Sequence, residues 1–434
     1  MGTQAQNLKD AFNAFDPTHP LRGESFEAFY VRRPEGIEPL MANIRDDERE
    51  TSKWLFTGHR GSGKSTELIR LSEALKDQYF TVYYTVEEAL DMADVDYKDV
   101  LLSLGSKLYE GAGQQGVRLP RELLEELVGW FSTTLQEVEG LIGAEAALEA
   151  KADFFFLKLL SRLKSEARTR EVVRRQIESN LSDLLERLNT IIAAIRKKRQ
   201  GQQVLAVVDG LDKVMDLDTA LKLYYRGGVN LLAPMCKVVY TVPLALYYTS
   251  EFGQVRVTFD GSYPLPNIKV QTREGDPHEP GREMMRQLIR RRMDPSLITA
   301  EAVERLVDLS GGVVRELVSL AKDACANARA RLGERVEPSD AERAASAVRN
   351  NYRRMLTLDK YRELWRVHTD PHKQQTGSPV SQELIHNLSL LEYLNDESWW
   401  DVHPIVMPLL EERADEMGNS TPGSRQADRY PAHR

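Results

Sequence analysis

At 434 residues the chain exceeds the roughly 250–300 residues at which single hydrophobic cores stop growing, so two or three domains are expected. Its 41% hydrophobic and 29% charged residues are those of a soluble globular protein, and no apolar run approaches the ~18 residues a membrane span needs. A net charge of −8 argues against a chain evolved mainly to coat nucleic acid, and two cysteines, Cys236 and Cys325, make neither a disulfide framework nor a zinc site.

The first seventeen residues, MGTQAQNLKDAFNAFDP, carry no basic segment followed by an apolar stretch, and Gln6 stands where myristoylation prefers Ser or Thr. No secretory signal is expected, and the location that fits is cytoplasmic. The first chemical motif is GHRGSGKST. Gly58, Gly63, Lys64 and Ser65 satisfy G-x-x-x-x-G-K-[ST], with Arg60, Gly61, Ser62 and Thr66 in the same stretch. Glycines let successive N–H groups turn toward phosphate oxygens, Lys64 reaches the β/γ oxygens of ATP, and the Ser65 hydroxyl can ligate Mg²⁺. An apolar strand from Trp54 to Thr57 leads in, and the helix after Lys64 adds its positive end to the anion site.

A second strand is predicted over Phe80–Val86. The third, Val204–Val208, is a continuous apolar run of buried type that ends on Asp209. An acid there alone reads equally well as a cap; behind a phosphate loop it reads as the second metal-site residue, with Ser65 as the first. Gly210 follows where many ATPases carry a water-activating glutamate. Asp212 is the nearest other acid, and slow hydrolysis is the consequence if it does not serve. The fourth strand, Lys237–Val242, places Thr241 near its carboxyl end, where ligands of parallel sheets sit.

These stretches, FYVRRPEGIEPLMANI, GHRGSGKST, VVDGLDKV, VVYTVP and SGGVVRELVSLAKDACANA, together resemble the AAA+ superfamily, and within it the initiator (origin-recognition)-like and STAND-type ATPases. The resemblance covers about residues 25–345 apart from one insertion. It implies an α/β P-loop fold, a parallel sheet flanked by helices, with a helical insertion, a small helical lid and a C-terminal winged-helix-like domain. It implies an adenine-facing role for Tyr30, Val31 and Arg33, and a phosphate contact for Arg315. An arginine acting on the neighbouring subunit's nucleotide is implied too. Arg256 lies in the interval between the Thr241 strand and the candidate last strand, Ile268–Val270, with Arg226 and Arg273 as rivals.

By this reading the chain divides into an extension (1–24), an ATPase core (25–279) with a mostly helical insertion (87–203), a lid (280–350), a winged-helix-like domain (351–412) and a polar tail (413–434). Ile177, Leu181, Leu184, Leu188, Ile191 and Ile195 predict one amphipathic helix from about Arg170 to Arg199, better suited to packing on the body than to a coiled-coil seam. GLIGAEAALEAKADFFFLKLL reads as either strand or helix. RKKR at 196–199 and RQLIRRR at 286–292 are candidate nucleic-acid patches, the first equally well explained by cations at a helix C-terminus. Residues 353–434 hold 13 acidic against 10 basic residues, and the candidate recognition helix VSQELIHNLSLL has neither Lys nor Arg. Duplex binding needs several phosphate contacts, so a protein partner is favoured over DNA. Trp399 and Trp400 read as core filling more readily than as a partner-binding patch. The reading favoured by sequence is an ATP- and Mg²⁺-dependent switch that forms a nucleotide-dependent homo-oligomer and acts on a protein, as STAND ATPases do in signalling or anti-phage defence. The alternatives are a DNA-binding initiator or loader, and a nucleotide-binding scaffold with little hydrolysis.

Overall fold

A computed structural model describes residues 4–120, 122–123, 125–126, 129, 152–214, 216–394, 397–414 and 416. The polar tail beyond 416 and most of the ambiguous 140–160 stretch lie outside them; its described part, from Ala152, is helix. By its contacts the chain divides into two units, Thr18–Pro266 and a second built from Asn267 onward together with the segment that ends at Pro17. The division falls at 266/267, whereas the sequence placed 267–279 with the core.

The first unit is organised by five parallel strands: β1 (Lys53–Gly58), β2 (Tyr79–Thr85), β3 (Gln203–Asp209), β4 (Lys237–Thr241) and β5 (Gly261–Leu265). They lie in the order β2-β3-β4-β1-β5, every neighbouring pair parallel. Burial on both faces explains why β1, β3 and β4 read as nearly unbroken apolar runs. Leu205 and Val207 pack with Trp54, Phe56 and Leu71 on one face; Ala206 and Val208 pack with Leu55, Tyr240 and the insertion helices on the other. The last strand is β5, and Ile268–Val270 is not a strand of this sheet. Edge position accounts for the misreading. β5 pairs only with β1, is half-buried until Leu265, and tolerates Pro264 because one side needs no ladder bond.

Helices Tyr97–Gln114, Ala152–Ser165, Ala167–Ser179 and Leu181–Lys198 fill the described part of the β2–β3 connection. The helix predicted over Arg170–Arg199 is therefore two helices. Asn180, at φ −137° and ψ 41°, ends one and begins the next, and its amide donates back to the Gln176 carbonyl. Asparagine competes with helical backbone bonds in this way, and the hydrophobic stripe continues across the break, which hid it. The RKKR run is partly consumed locally: Arg196 pairs with Glu50 at 2.5 Å, and Arg199 donates to the Gln115 carbonyl.

In the second unit, helices Glu279–Arg290, Ala300–Ser310, Val314–Ala330 and Pro338–Met355 pack with the N-terminal helix Leu8–Ala14. Two further helices, Leu358–Thr369 and Pro379–His386, precede an antiparallel hairpin of β6 (Leu390–Leu394) and β7 (Ser398–Val402). Trp399 and Trp400 are buried, Trp399 stacking on Tyr393 at 4.6 Å, and the Tyr393 hydroxyl donates to the Gly311 carbonyl. Within the second basic run, Arg286 binds Glu304 and Glu279, Arg290 binds Glu283, and Arg292 is buried on the Leu288 carbonyl. No helix among the described residues is long and apolar enough to cross a membrane.

Candidate nucleotide site

The loop after β1 forms as its glycines dictate. Gly58, Gly61 and Gly63 have φ of +150°, +88° and +101°, the region L side chains rarely enter. At Gly58 the demand is also steric, since a Cβ would stand 2.5 Å from the Leu265 carbonyl oxygen. Helix Lys64–Leu75 starts directly behind Gly63, so the first turn's N–H groups open toward the loop.

Lys64 is almost fully buried. Its ammonium donates to the Gly58 and His59 carbonyls, each at 2.9 Å, and pairs with Asp212 at 2.9 Å. Asp209, 2% exposed, ends β3 and is held by three donors: the Tyr83 hydroxyl at 2.8 Å, its neighbour Gly210 N–H at 2.7 Å, and the Ser65 hydroxyl. Burial, then the charge of Asp212, pushes the Asp209 carboxyl above the usual carboxylate range. A cation arriving here would reverse that penalty. Three buried polar atoms in this part of the first unit, Ser62 Oγ, Asp212 Oδ1 and Thr85 Oγ1, have no hydrogen-bond partner. Such groups are costly unless something outside the chain completes them.

The residues fit Mg²⁺ on these grounds. Ser65 and Asp209 are two oxygen donors already in contact, and Mg²⁺ ordinarily takes one or two protein ligands, leaving the rest to water and substrate phosphate. Among the described residues there is no larger cluster of His, Cys, Asp and Glu that would indicate another kind of metal centre.

The remaining predicted residues divide into those near the loop and those elsewhere. Arg33 is 6% exposed, and its guanidinium donates to the Ser62 and Pro266 carbonyls instead of facing an open cleft. Tyr30 stacks on Phe26 at 4.4 Å and donates to Glu67 at 3.0 Å, while Val31 is buried. The Thr66 hydroxyl accepts from the Leu21 N–H, and Arg60 is exposed. Thr241 is fully buried at the end of β4, its hydroxyl 3.4 Å from the Val208 carbonyl. Arg256 is exposed on helix Phe252–Thr258, between β4 and β5; Arg226 is exposed as well. Arg273 and Arg315 belong to the second unit, Arg273 paired with Glu397 at 3.6 Å and Arg315 in the first turn of Val314–Ala330.

Sequence reasoning missed Tyr83, with the Arg22 guanidinium 5.4 Å from its ring centroid. The signal was the strand register: β2 pairs with β3 so that Thr85 faces Asp209, which puts Tyr83 one pleat back on the same face.

A parallel sheet in the order β2-β3-β4-β1-β5, a glycine-rich loop joining β1 to a helix and an acid closing β3 define the P-loop fold in its AAA+ form. No family model matches the sequence, nor does any curated protein. Among solved structures, the Walker-type ATPase of Pyrococcus abyssi is similar over 92% of this chain and 99% of its own, at 15% identity and a TM-score of 0.47. The Aeropyrum pernix ORC2 protein, solved as ADPNP–ADP complexes, aligns over 93% and 97% at 12% identity and TM-score 0.44. The A. pernix ORC1 protein in complex with DNA aligns over 93% and 96% at 13% and 0.41.

Proposed function

We propose that this chain is an ATP-binding and ATP-hydrolysing switch of the initiator-like AAA+ kind. The observation that carries the reading is Lys64, a buried ammonium parked on two loop carbonyls and Asp212 beside partnerless polar atoms. A cation so placed exchanges these partners for the β/γ-phosphates when nucleotide arrives. Asp212 holds Lys64 until that exchange, and Ser65 and Asp209 would hold the metal. Mg²⁺ held there would neutralise charge on the phosphates. Thr241 lies at the sheet's carboxyl end for sensing the γ-phosphate. Calorimetry tests the site: Lys64→Ala should weaken Mg·ATP binding, and equal affinity in both proteins would overturn the assignment.

Assembly follows from Arg256. We place it on the neighbouring subunit's γ-phosphate, so ATP should raise the oligomeric mass, and Arg256→Ala should abolish turnover while sparing binding. Sedimentation that shows a monomer with and without a non-hydrolysable analogue, with turnover independent of concentration, would remove this role.

DNA is the alternative partner, since the similar ORC1 protein was solved with it. Against it stand the second unit's charges: Arg286 and Arg290 are spent on internal carboxylates, and Lys360 of the first C-terminal helix is paired with Glu383. Weak, salt-sensitive and sequence-independent DNA binding is expected, leaving a protein as the main partner. A sequence-specific complex of sub-micromolar affinity at physiological salt would make the loader reading the correct one.

A further inference from the structure

The nucleotide reading leaves one task unassigned, the group that takes the proton from attacking water. Gly210 occupies the place of the usual glutamate, and its backbone excludes any replacement. Its φ is +93°, and a Cβ there would stand 2.9 Å from Thr85 Oγ1, 3.4 Å from Val86 Cγ2 and 3.5 Å from Glu87 Cγ. The volume a side chain at 210 would need is filled by the end of β2. Asp209 is taken by Ser65 and Tyr83, and Asp212, the other nearby acid, is paired with Lys64 in this structure and would be its rival once Lys64 turns to the phosphates. Of the acids in the turn that follows β2, Glu87 is the one whose side chain lies against Gly210, and its carboxylate is bound to neither the loop nor the metal pair.

Three features place Glu87. β2 runs parallel to β3 with Thr85 opposite Asp209, so the turn Val86–Glu88 leaves the sheet at its carboxyl end, beside Gly210. Its carbonyl accepts from Lys164 at 2.7 Å, which fixes the turn. Its half-exposed carboxylate is ion-paired with Lys213, in the same short turn as Asp212. The chain therefore delivers a solvent-accessible carboxylate from the adjacent strand to the space that residue 210 cannot supply.

We propose that Glu87 is the general base of ATP hydrolysis, oriented by Lys213, an inference that rests on the ATPase reading above. In the step, water oxygen bonds to the γ-phosphorus while the bond from that phosphorus to the bridging oxygen breaks. The electron pair leaves with ADP, and the water proton passes to the Glu87 carboxylate. A positioned base of this kind contributes on the order of 10²–10⁴-fold in rate.

The test compares full-length wild type, Glu87→Gln and Glu87→Asp for Mg·ATP affinity by calorimetry, turnover, and the nucleotide that co-elutes after incubation with ATP. Glu87→Gln is expected to bind ATP within about twofold of wild type, lose at least about 100-fold in turnover, and elute with ATP where wild type elutes with ADP. Glu87→Asp, with the same charge one methylene back, should retain an intermediate rate. Wild-type turnover in Glu87→Gln would overturn the proposal, as would a loss of ATP binding in both variants, which would make Glu87 a binding residue. A wild type that binds ATP without hydrolysing it also overturns it, leaving the binding site intact. A wild type that binds no ATP refutes the ATPase reading itself.

Discussion

The two ends of the central sheet handle buried charge in opposite ways. At the amino end, Lys53 and Lys237 are both fully buried, and their ammonium groups are surrounded by backbone acceptors: Thr51, Pro234 and Cys236 carbonyls for Lys53, Ile44 and Asp47 for Lys237. Lys237 also faces the rings of Trp54 and Tyr79. At the carboxyl end, Lys64 has carbonyls too, but beside them lie an acid pair and polar atoms with no partner at all. A satisfied cation has nothing left to offer a ligand. An incompletely satisfied cluster costs stability and is poised for one.

That contrast can be broken by substitutions at each end. Lys53→Met strands three carbonyls, two of them in buried contacts, and should cost about 2–3 kcal/mol in chemical denaturation, with ATP affinity unchanged; altered affinity would mean the two ends are coupled. Burial pulls the Lys53 ammonium down to about 8, below the 10.5 of an unperturbed lysine. The unfolded chain therefore holds more protons between those values, and this group's contribution to stability rises as pH climbs from about 8 toward 10.5. The gap between wild type and Lys53→Met should widen over that window; a gap that narrows would mean the folded chain holds the extra protons. Lys64→Ala should do the converse, costing about 1.5–3 kcal/mol of Mg·ATP affinity by calorimetry.

Smaller effects sharpen the picture. Gly210→Ala forces a Cβ into a left-handed backbone against Thr85 and should cost about 1–2 kcal/mol of stability, seen as a lower denaturation midpoint; no change would mean the β2 end yields easily. Tyr83→Phe removes one donor from Asp209 and should raise the Mg²⁺ concentration for half-maximal ATP binding by a few-fold, about 1 kcal/mol. Unaltered Mg²⁺ dependence would show that Ser65 and Gly210 hold the carboxylate without it.

The carboxyl end was also the more legible in sequence. β1, β3 and β4 announced themselves because burial on both faces enforces continuous apolar runs, and the loop did because phosphate binding requires glycines at fixed spacing. β5 escaped because an edge strand such as Gly261–Leu265 needs no such run, while Ile268 and Val270 are equally apolar and buried for another reason. Within the site, Lys64, Ser65 and Asp209 follow from motif and strand end. Tyr83 and Glu87 depend on which strand lies beside β3, a fact set by long-range pairing. Long-range packing also sets the partners of the second basic run: Arg286 meets Glu304, which the helix across from it supplies.

Arg33 gives the phosphate loop a mechanical property. One guanidinium, closed in from solvent, grips the loop at Ser62 and the backbone at Pro266, where the chain has just left β5. Gly58 presses on Leu265 immediately before it, so close that not even a methyl group would fit. The loop thus has no slack on that side: it is geared to the exit of the last strand.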